Sequence, residues 1–254
     1  MLTSILNSYR NKKGLILPRN SDYWLVSYPR SGNTWLRLIL ASYIWDCPEI
    51  KNLQDLQVFI PDLYYERAGI SPRTFSGKYR IIKSHEQYRA DYHYVIYMYR
   101  RPFDCAWSYF HFNKEREGSG TDFDEFITSF LNGRLPYGSW HDHLVRWRDL
   151  HRGRHIFISY ENLLETPKQY LGEITSFLGL EYDDQRAEKA LDSSSPNIVA
   201  RITNDKTFYG KEFKGFVKSP LGIGLEVKEK LRSEYAARFQ EWNEIYEEQK
   251  DGRD

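Results

Sequence analysis

The apolar run Tyr23-Trp24-Leu25-Val26-Ser27 leads straight into Tyr28-Pro29-Arg30-Ser31-Gly32-Asn33-Thr34-Trp35, and this junction constrains the chain more than any other stretch. It reads as a strand that delivers the backbone into a tight, hydroxyl-rich turn opening a helix over Leu36–Tyr43. In that geometry, successive backbone N–H groups and a helix N-terminus hold a phosphate-like anion. Arg30 adds a fixed cation at the turn. The Gly-Lys-Ser/Thr ending of an ATP-binding P-loop is missing, so magnesium-dependent ATP chemistry on a loop hydroxyl is not implied.

The rest of the chain supplies partners for that first strand. Runs at Tyr23–Tyr28, Tyr79–Lys83, Tyr92–Tyr99 and His155–Ser159 read as strands. Helical patterns lie between them, at Asp104–Phe112 after Pro102, Phe123–Leu131 and Trp140–Leu150. A further helix is expected from Thr166-Pro167 to Gly179. This alternation predicts a doubly wound α/β fold, a central parallel sheet covered by helices on both faces. Leu231, Tyr235, Phe239, Trp242 and Ile245 recur at helical steps, so Leu225–Glu248 is expected to be one amphipathic helix whose aromatic stripe joins the core. Glu117–Gly120, Asp192–Pro196 and Lys218–Gly224 read as surface loops, and a single domain over residues 1–254 is expected.

Charge narrows the partners. With 36 basic and 35 acidic residues the net charge is +1, too small for a broad nucleic-acid footprint but compatible with a local basic pocket. A small molecule fits better. No apolar run reaches the ~18 residues of a membrane span, and Met1–Asn20 reads as neither signal peptide nor anchor. Cys47 and Cys105 lack metal-ligand spacing, so neither a zinc site nor a disulfide framework is expected, and a cytoplasmic setting fits.

Two further groups carry chemistry. Arg100, at the carboxyl end of a predicted strand where ligands of open α/β sheets bind, is followed eight residues later by Ser108 on the next helix. Together they suit a second phosphate, although both also fit an exposed helix start. Lys83-Ser84-His85 follows another strand end and opens at the same edge of the sheet. The other histidines, 93, 111, 141, 143, 151 and 155, read as structural.

These residues resemble the sulfotransferases that use 3′-phosphoadenosine 5′-phosphosulfate (PAPS). Residues 28–35 resemble the family's Tyr-Pro-Lys-Ser-Gly-Thr-Thr-Trp loop, and Lys83-Ser84-His85 its Lys-Thr-His segment. Arg100 to Ser108 is similar to its 3′-phosphate motif, and Ser159-Tyr160-Glu161-Asn162-Leu163 to its Tyr-Glu-Asp-Leu element. All four occur in the family's order. The resemblance implies a fold like that of the P-loop nucleoside-triphosphate hydrolases. It assigns Arg30, Ser31, Gly32, Asn33 and Thr34 to the 5′-phosphosulfate, Trp35 and Tyr160 to the adenine, and Arg100 and Ser108 to the 3′-phosphate. His85 becomes the general base and Lys83 the stabiliser of the transferring sulfuryl group, with Arg30 facing the leaving oxygen. Sulfuryl transfer needs in-line positioning, cations at the developing charge and a base near neutral pH, which this set supplies.

The sequence departs from the family in three places. Arg30 replaces a lysine, keeping the charge but losing ready proton donation. Asn33 replaces a threonine. The C-terminal Arg-Lys-Gly element is reduced to Phe213-Lys214-Gly215, with Lys211 and Lys218 nearby, so Lys214 and Gly215 are candidate cofactor contacts. No dimerisation signature is visible.

The expected activity is transfer of a sulfuryl group from PAPS to a hydroxyl, or second an amine, of a small acceptor, leaving 3′-phosphoadenosine 5′-phosphate (PAP) and using no metal. A nucleotide or small-molecule kinase and a non-catalytic nucleotide-binding protein are the alternatives. Asp46–Ser76 and Gly118–Trp140 are expected to shape the acceptor pocket, with Phe59, Tyr64, Tyr65, Phe75, Phe123 and Tyr137 as ring-lining candidates that could equally be packing.

Overall fold

The chain's architecture is that of a computed structural model, which describes residues 16, 18–46, 50–63, 80–117, 120, 122–203 and 223–252. Four strands form one sheet: β1 (Asp22–Ser27), β2 (Arg80–Ser84), β3 (Tyr94–Tyr99) and β4 (Arg154–Ser159). Their order is β2-β1-β3-β4, and every pairing is parallel. The chain therefore leaves β1 for β2 on one side and returns to β3 on the other. That reversal opens a crevice at the carboxyl ends of β1 and β3, the place where open α/β sheets take their ligands.

Alternation along β1 separates two cores. Tyr23 and Leu25 face a cluster with Leu36, Ile39, Leu40, Ile96, Met98, Leu171 and Ile174. Trp24 and Val26 face a second cluster with Tyr97, Ala106, Phe130, Leu144, Trp147 and Phe239. The first is covered by α1 (Asn33–Trp45) and α7 (Pro167–Phe177), the second by α3 (Pro102–Glu117), α4 (Phe123–Leu131) and α5 (Trp140–Leu150). The expected two-faced parallel sheet is thus present, and near-continuous apolar strands are what burial on both sides demands. At the opposite edge, Asp22 and Arg80 stand in register and form a buried two-pronged ion pair, with Nε–Oδ1 2.6 Å and Nη2–Oδ2 2.7 Å.

Several boundaries differ from the sequence reading. β1 ends at Ser27, because Tyr28 turns aside to donate its hydroxyl to the Gly138 carbonyl at 3.0 Å. β3 starts at Tyr94, since Tyr92 instead stacks on Trp24 with ring centroids 3.6 Å apart. Short helices α2 (Leu53–Phe59), α6 (Tyr160–Glu165), α8 (Asp184–Asp192) and α9 (Pro196–Thr203) were not anticipated, and the last two take up both ends of the expected loop at Asp192–Pro196.

The expected single C-terminal helix is broken into α10 (Ile223–Glu234), a 3₁₀ turn (Ala236–Phe239) and α11 (Gln240–Asp251). The break lets Tyr235 and Arg238 both bind Asp124, at 3.0 and 2.7 Å, while Phe239, Trp242 and Tyr246 still enter the core. Its aromatic stripe is packing, as the periodicity predicted. Among the described residues, no helix is long and apolar enough to cross a membrane.

Candidate active site

The loop between β1 and α1 is built to present backbone rather than side chains. Gly32 is the N-cap of α1 with φ 97°, and it supplies no side-chain cap to the helix's first N–H groups. Trp35 N and Leu36 N donate to the Gly32 carbonyl at 3.0 and 3.2 Å, which leaves the N–H groups of Asn33 and Thr34 without an intrahelical acceptor and available to an anion. A Cβ at Gly32 would lie 2.4 Å from Tyr160 Cδ2 and 2.8 Å from Met98 Cε, so only glycine fits. Arg30 also has a positive φ of 73°, unusual for a residue with a Cβ. The loop is held from below: Cys105 Sγ donates to the Pro29 carbonyl at 3.0 Å, and Arg100 Nη1 donates to the Arg30 carbonyl at 3.3 Å. Burial pushes the Cys105 thiol up to about 12 against the pull of the nearby arginines, so it remains a protonated donor.

The sequence-named side chains of this loop diverge. Arg30 crosses to α3, where its Nε donates to Ser108 Oγ at 3.1 Å and its guanidinium lies over the Phe112 ring, 4.8 Å from the centroid. Ser31 is buried with its hydroxyl 3.8 Å from Cys105 Sγ. Asn33 points back into the sheet, donating to Ser27 Oγ at 3.1 Å and the Leu25 carbonyl at 3.4 Å. Asn33 can therefore serve an anion only through its backbone N–H. Thr34 follows it on the first turn of α1 and is half-buried.

Arg100 lies at the end of β3, with its guanidinium 4.4 Å above the Tyr160 ring. Tyr160 in turn meets Trp35 edge to face at 5.6 Å. Thus Arg30, Trp35, Arg100, Ser108 and Tyr160, drawn from three separate stretches of sequence, form one connected surface over the β1–β3 crevice. Among the described residues, Arg100 Nε is buried without a hydrogen-bond partner. An unpaired guanidinium donor is costly to leave dry, and an anionic oxygen is the group that satisfies it.

Lys83 and His85 sit on the β2 side of the same edge. His85 Nδ1 is 2.7 Å from the Ser27 carbonyl oxygen and 3.3 Å from Ser27 Oγ. A carbonyl only accepts, so Nδ1 carries the proton and Nε2 holds the free lone pair. Burial and then the Lys83 ammonium hold the imidazole well below its usual range, outweighing the opposite pull of Asp62 and of the Ser27 carbonyl. The ring is neutral and basic at neutral pH.

Three further residues support this pair, and of them the sequence reading names only Tyr137 for the site, as a ring-lining candidate of the acceptor pocket. Asp62 binds Lys83 Nζ at 2.5 Å. Buried His143 donates from Nε2 to the His85 carbonyl at 3.2 Å while Nδ1 pairs with Tyr97 Oη at 2.7 Å, and burial lowers it to about 4. Tyr137, with φ 73°, packs its ring 5.6 Å from that of His85, and its carbonyl accepts from Gln87 Nε2 at 3.0 Å. His143, buried and hydrogen-bonded within the fold, matches its structural reading. Asp62 gave no signal, because an isolated bridge rather than any periodic pattern brings it to Lys83.

Of the proposed acceptor-side rings, Phe59 packs in the core beside Trp45, and Phe123 joins Phe103, Trp107 and Phe110. Tyr64, Tyr65, Phe75, Cys47, Lys211, Phe213, Lys214, Gly215 and Lys218 lie outside the described residues. Among the described residues, no group of His, Cys, Asp or Glu is placed to hold a metal ion.

Comparison with known proteins converges on one family. The family model for the sulfotransferase domain matches residues 20–251. Human Sulfotransferase 4A1 is 33% identical over 199 residues, covering 73% of this chain and 69% of that protein. Its mouse counterpart is also 33% identical, and there the match spans 65% of the relative's length. Cytosolic sulfotransferase 13 of Arabidopsis thaliana is 28% identical, over 68% of this chain and 58% of its own. Among solved structures, mouse sulfotransferase SULT7A1 complexed with PAP superposes with a TM-score of 0.61 and 25% identity, covering 91% of this chain and 86% of that one. A retinol dehydratase in complex with androsterone and PAP shares the fold, with a TM-score of 0.68 at 15% identity over 95% of this chain and 84% of its own.

Proposed function

The chain belongs to the sulfotransferase family, and from that membership we propose that it transfers a sulfuryl group from PAPS to a hydroxyl of a small acceptor, releasing PAP. The observation that carries the reading is the single edge at which Arg30, Arg100 and Ser108 face the β1–β3 crevice while His85 presents an unprotonated Nε2 beside Lys83. A kinase would need a Gly-Lys-Ser/Thr loop ending, which Gly32-Asn33-Thr34 does not supply. A passive nucleotide binder has no use for a neutral, oriented histidine next to a buried lysine.

In this reading the backbone N–H groups at the start of α1 and the Arg30 guanidinium hold the 5′-phosphosulfate. Arg100, with its unsatisfied Nε, and Ser108 hold the 3′-phosphate, and Trp35 and Tyr160 flank the adenine. His85 Nε2 removes the proton of the acceptor hydroxyl as its oxygen bonds to sulfur and the sulfur–oxygen bond to the nucleotide breaks. Lys83 offsets charge on the sulfuryl oxygens. Arg30 stabilises the departing phosphate, since a guanidinium holds its proton too tightly to give it up. Fixed cations in a dry site do this work without reorganising.

Solved relatives hold PAP and, in one case, androsterone. The Tyr137 ring beside His85 makes the same kind of ring-bearing alcohol the first acceptor class to test here, with amines second. Purified protein supplied with PAPS and a panel of phenols, sterols, alcohols and amines should release PAP with at least one of them. Failure to bind PAP together with ATP turnover would instead point to the kinase alternative.

A further inference from the structure

We propose that Asp62 is a positioning residue for sulfuryl transfer, an acidic partner that fixes Lys83 Nζ beside His85 and preserves its positive charge inside the fold. The main chain enforces the pairing. Asp62 and Lys83 form a parallel bridge in which Lys83 N donates to the Pro61 carbonyl at 2.8 Å and Leu63 N donates to the Lys83 carbonyl at 2.9 Å. The two side chains therefore leave on the same face, and Nζ meets Oδ2 at 2.5 Å. Asp62 is itself held by Gln57, whose Oε1 accepts from Asp62 N at 2.6 Å. Next to it, Arg37 anchors the Ile60 carbonyl through Nε at 2.9 Å.

A counter-charge is needed here. The Lys83 side chain is 10% exposed and that of Asp62 25%, and a buried lysine tends to shed its proton. Burial does lower Lys83, and Asp62 opposes that fall. The carboxyl is pushed up by burial, but the Lys83 ammonium, His85 and Arg37 outweigh this and hold it at about 2, so it stays ionised throughout the working range. Among the described residues, the groups facing the pair include Arg37 from α1 and His85 beyond β2. When cationic, both disfavour charge on Lys83, whereas Asp62 favours it. Without Asp62, Lys83 would be the group to neutralise, and a neutral amine cannot offset charge on a sulfuryl oxygen.

The inference rests on the sulfotransferase reading, so its test has two arms. Single-turnover rates with PAPS are measured against pH for the wild type, Asp62→Asn and Asp62→Asn/Lys83→Arg. The expected result is an alkaline fall in rate that moves down by about 1–3 pH units in Asp62→Asn, and that disappears in the double variant because a guanidinium does not titrate there. A rate lowered by the same factor at every pH would overturn the proposal.

If the wild type neither binds PAP nor turns over PAPS, the functional reading fails while thermal unfolding still decides the ion pair. With the folded pKa of Lys83 below its unfolded value, the cost of burying the ammonium is fully present below the folded pKa. That cost fades as pH rises toward the unfolded value, near 10.4. The loss of melting temperature in Asp62→Asn should accordingly be largest at about pH 7 and shrink toward about pH 10. A loss independent of pH would overturn the role of Asp62.

Discussion

His85 Nδ1 lies 2.7 Å from the carbonyl oxygen of Ser27, the last residue of the neighbouring strand β1. The contact ties the ring to the backbone of the sheet, with Ser27 Oγ 3.3 Å from the same nitrogen. Because a carbonyl can only accept, it also fixes the tautomer and leaves Nε2 as the basic nitrogen.

His85→Ala should lower turnover by about 100-fold or more, the usual share of a general base, with PAP affinity little changed. The pH profile separates this from a structural loss. Since the folded pKa is depressed well below 6.5, the neutral, active form persists as pH falls through the ordinary histidine range. The rate should decline only further into the acid, and an acid limb of kcat/KM centred on 6.5 or above would contradict the buried, neutral assignment.

Arg100→Ala should weaken PAP binding by about 10- to 100-fold, the 1.5–3 kcal/mol of a hydrogen bond to a charged group. The cation has no described anionic partner at its buried Nε, so calorimetry should show the loss without a matching loss of stability. Arg100→Lys should recover part of the affinity, because it restores charge but not the planar fork. Unchanged PAP affinity in Arg100→Ala would remove the 3′-phosphate assignment.

Gly32→Ala should damage both stability and nucleotide binding. The left-handed backbone alone costs about 1–2 kcal/mol for a residue with a Cβ. The added methyl also collides with Tyr160 and Met98 at 2.4 and 2.8 Å, displacing the ring that touches Arg100 and Trp35. A melting curve and a PAP titration on the same sample check it, and wild-type behaviour in both would show that the turn can relax.

Asp22→Asn should cost about 3–5 kcal/mol of stability, since it strands the buried Arg80 guanidinium without its carboxylate. The pair is in register at the start of β1 and β2, the far end of the sheet from the anion loop. Urea unfolding should therefore register the loss while PAP affinity of the folded fraction stays constant.

The sheet and the anion loop were readable because local chemistry sets them. Four apolar runs separated by helical patterns admit little besides a two-faced parallel sheet, and Gly32 marks a turn position where a Cβ does not fit. Helix ends were less readable. The C-terminal aromatic stripe is continuous in period, and the 3₁₀ turn that breaks it follows from contacts to Asp124 far away in the chain. Asn33 shows the same limit within the motif itself: its place in the loop is a matter of sequence, while the direction of its amide depends on Ser27 and Leu25 behind it.

By itself the sequence determined which residue types stand at each strand end: Arg30 after β1, Lys83 and His85 around the end of β2, Arg100 after β3, each placed by patterns a few residues long. Only the tertiary structure decided which of those strand ends are neighbours, because the strand order β2-β1-β3-β4 is set by long-range pairing and not by any local signal. It also decided the states of these groups. The tautomer of His85 comes from Ser27, the partner of Arg30 is Ser108, and the charge on Lys83 answers to Asp62. Desolvation and hydrogen bonding depend on what the fold packs around a side chain, and those neighbours lie 58, 78 and 21 residues away in sequence.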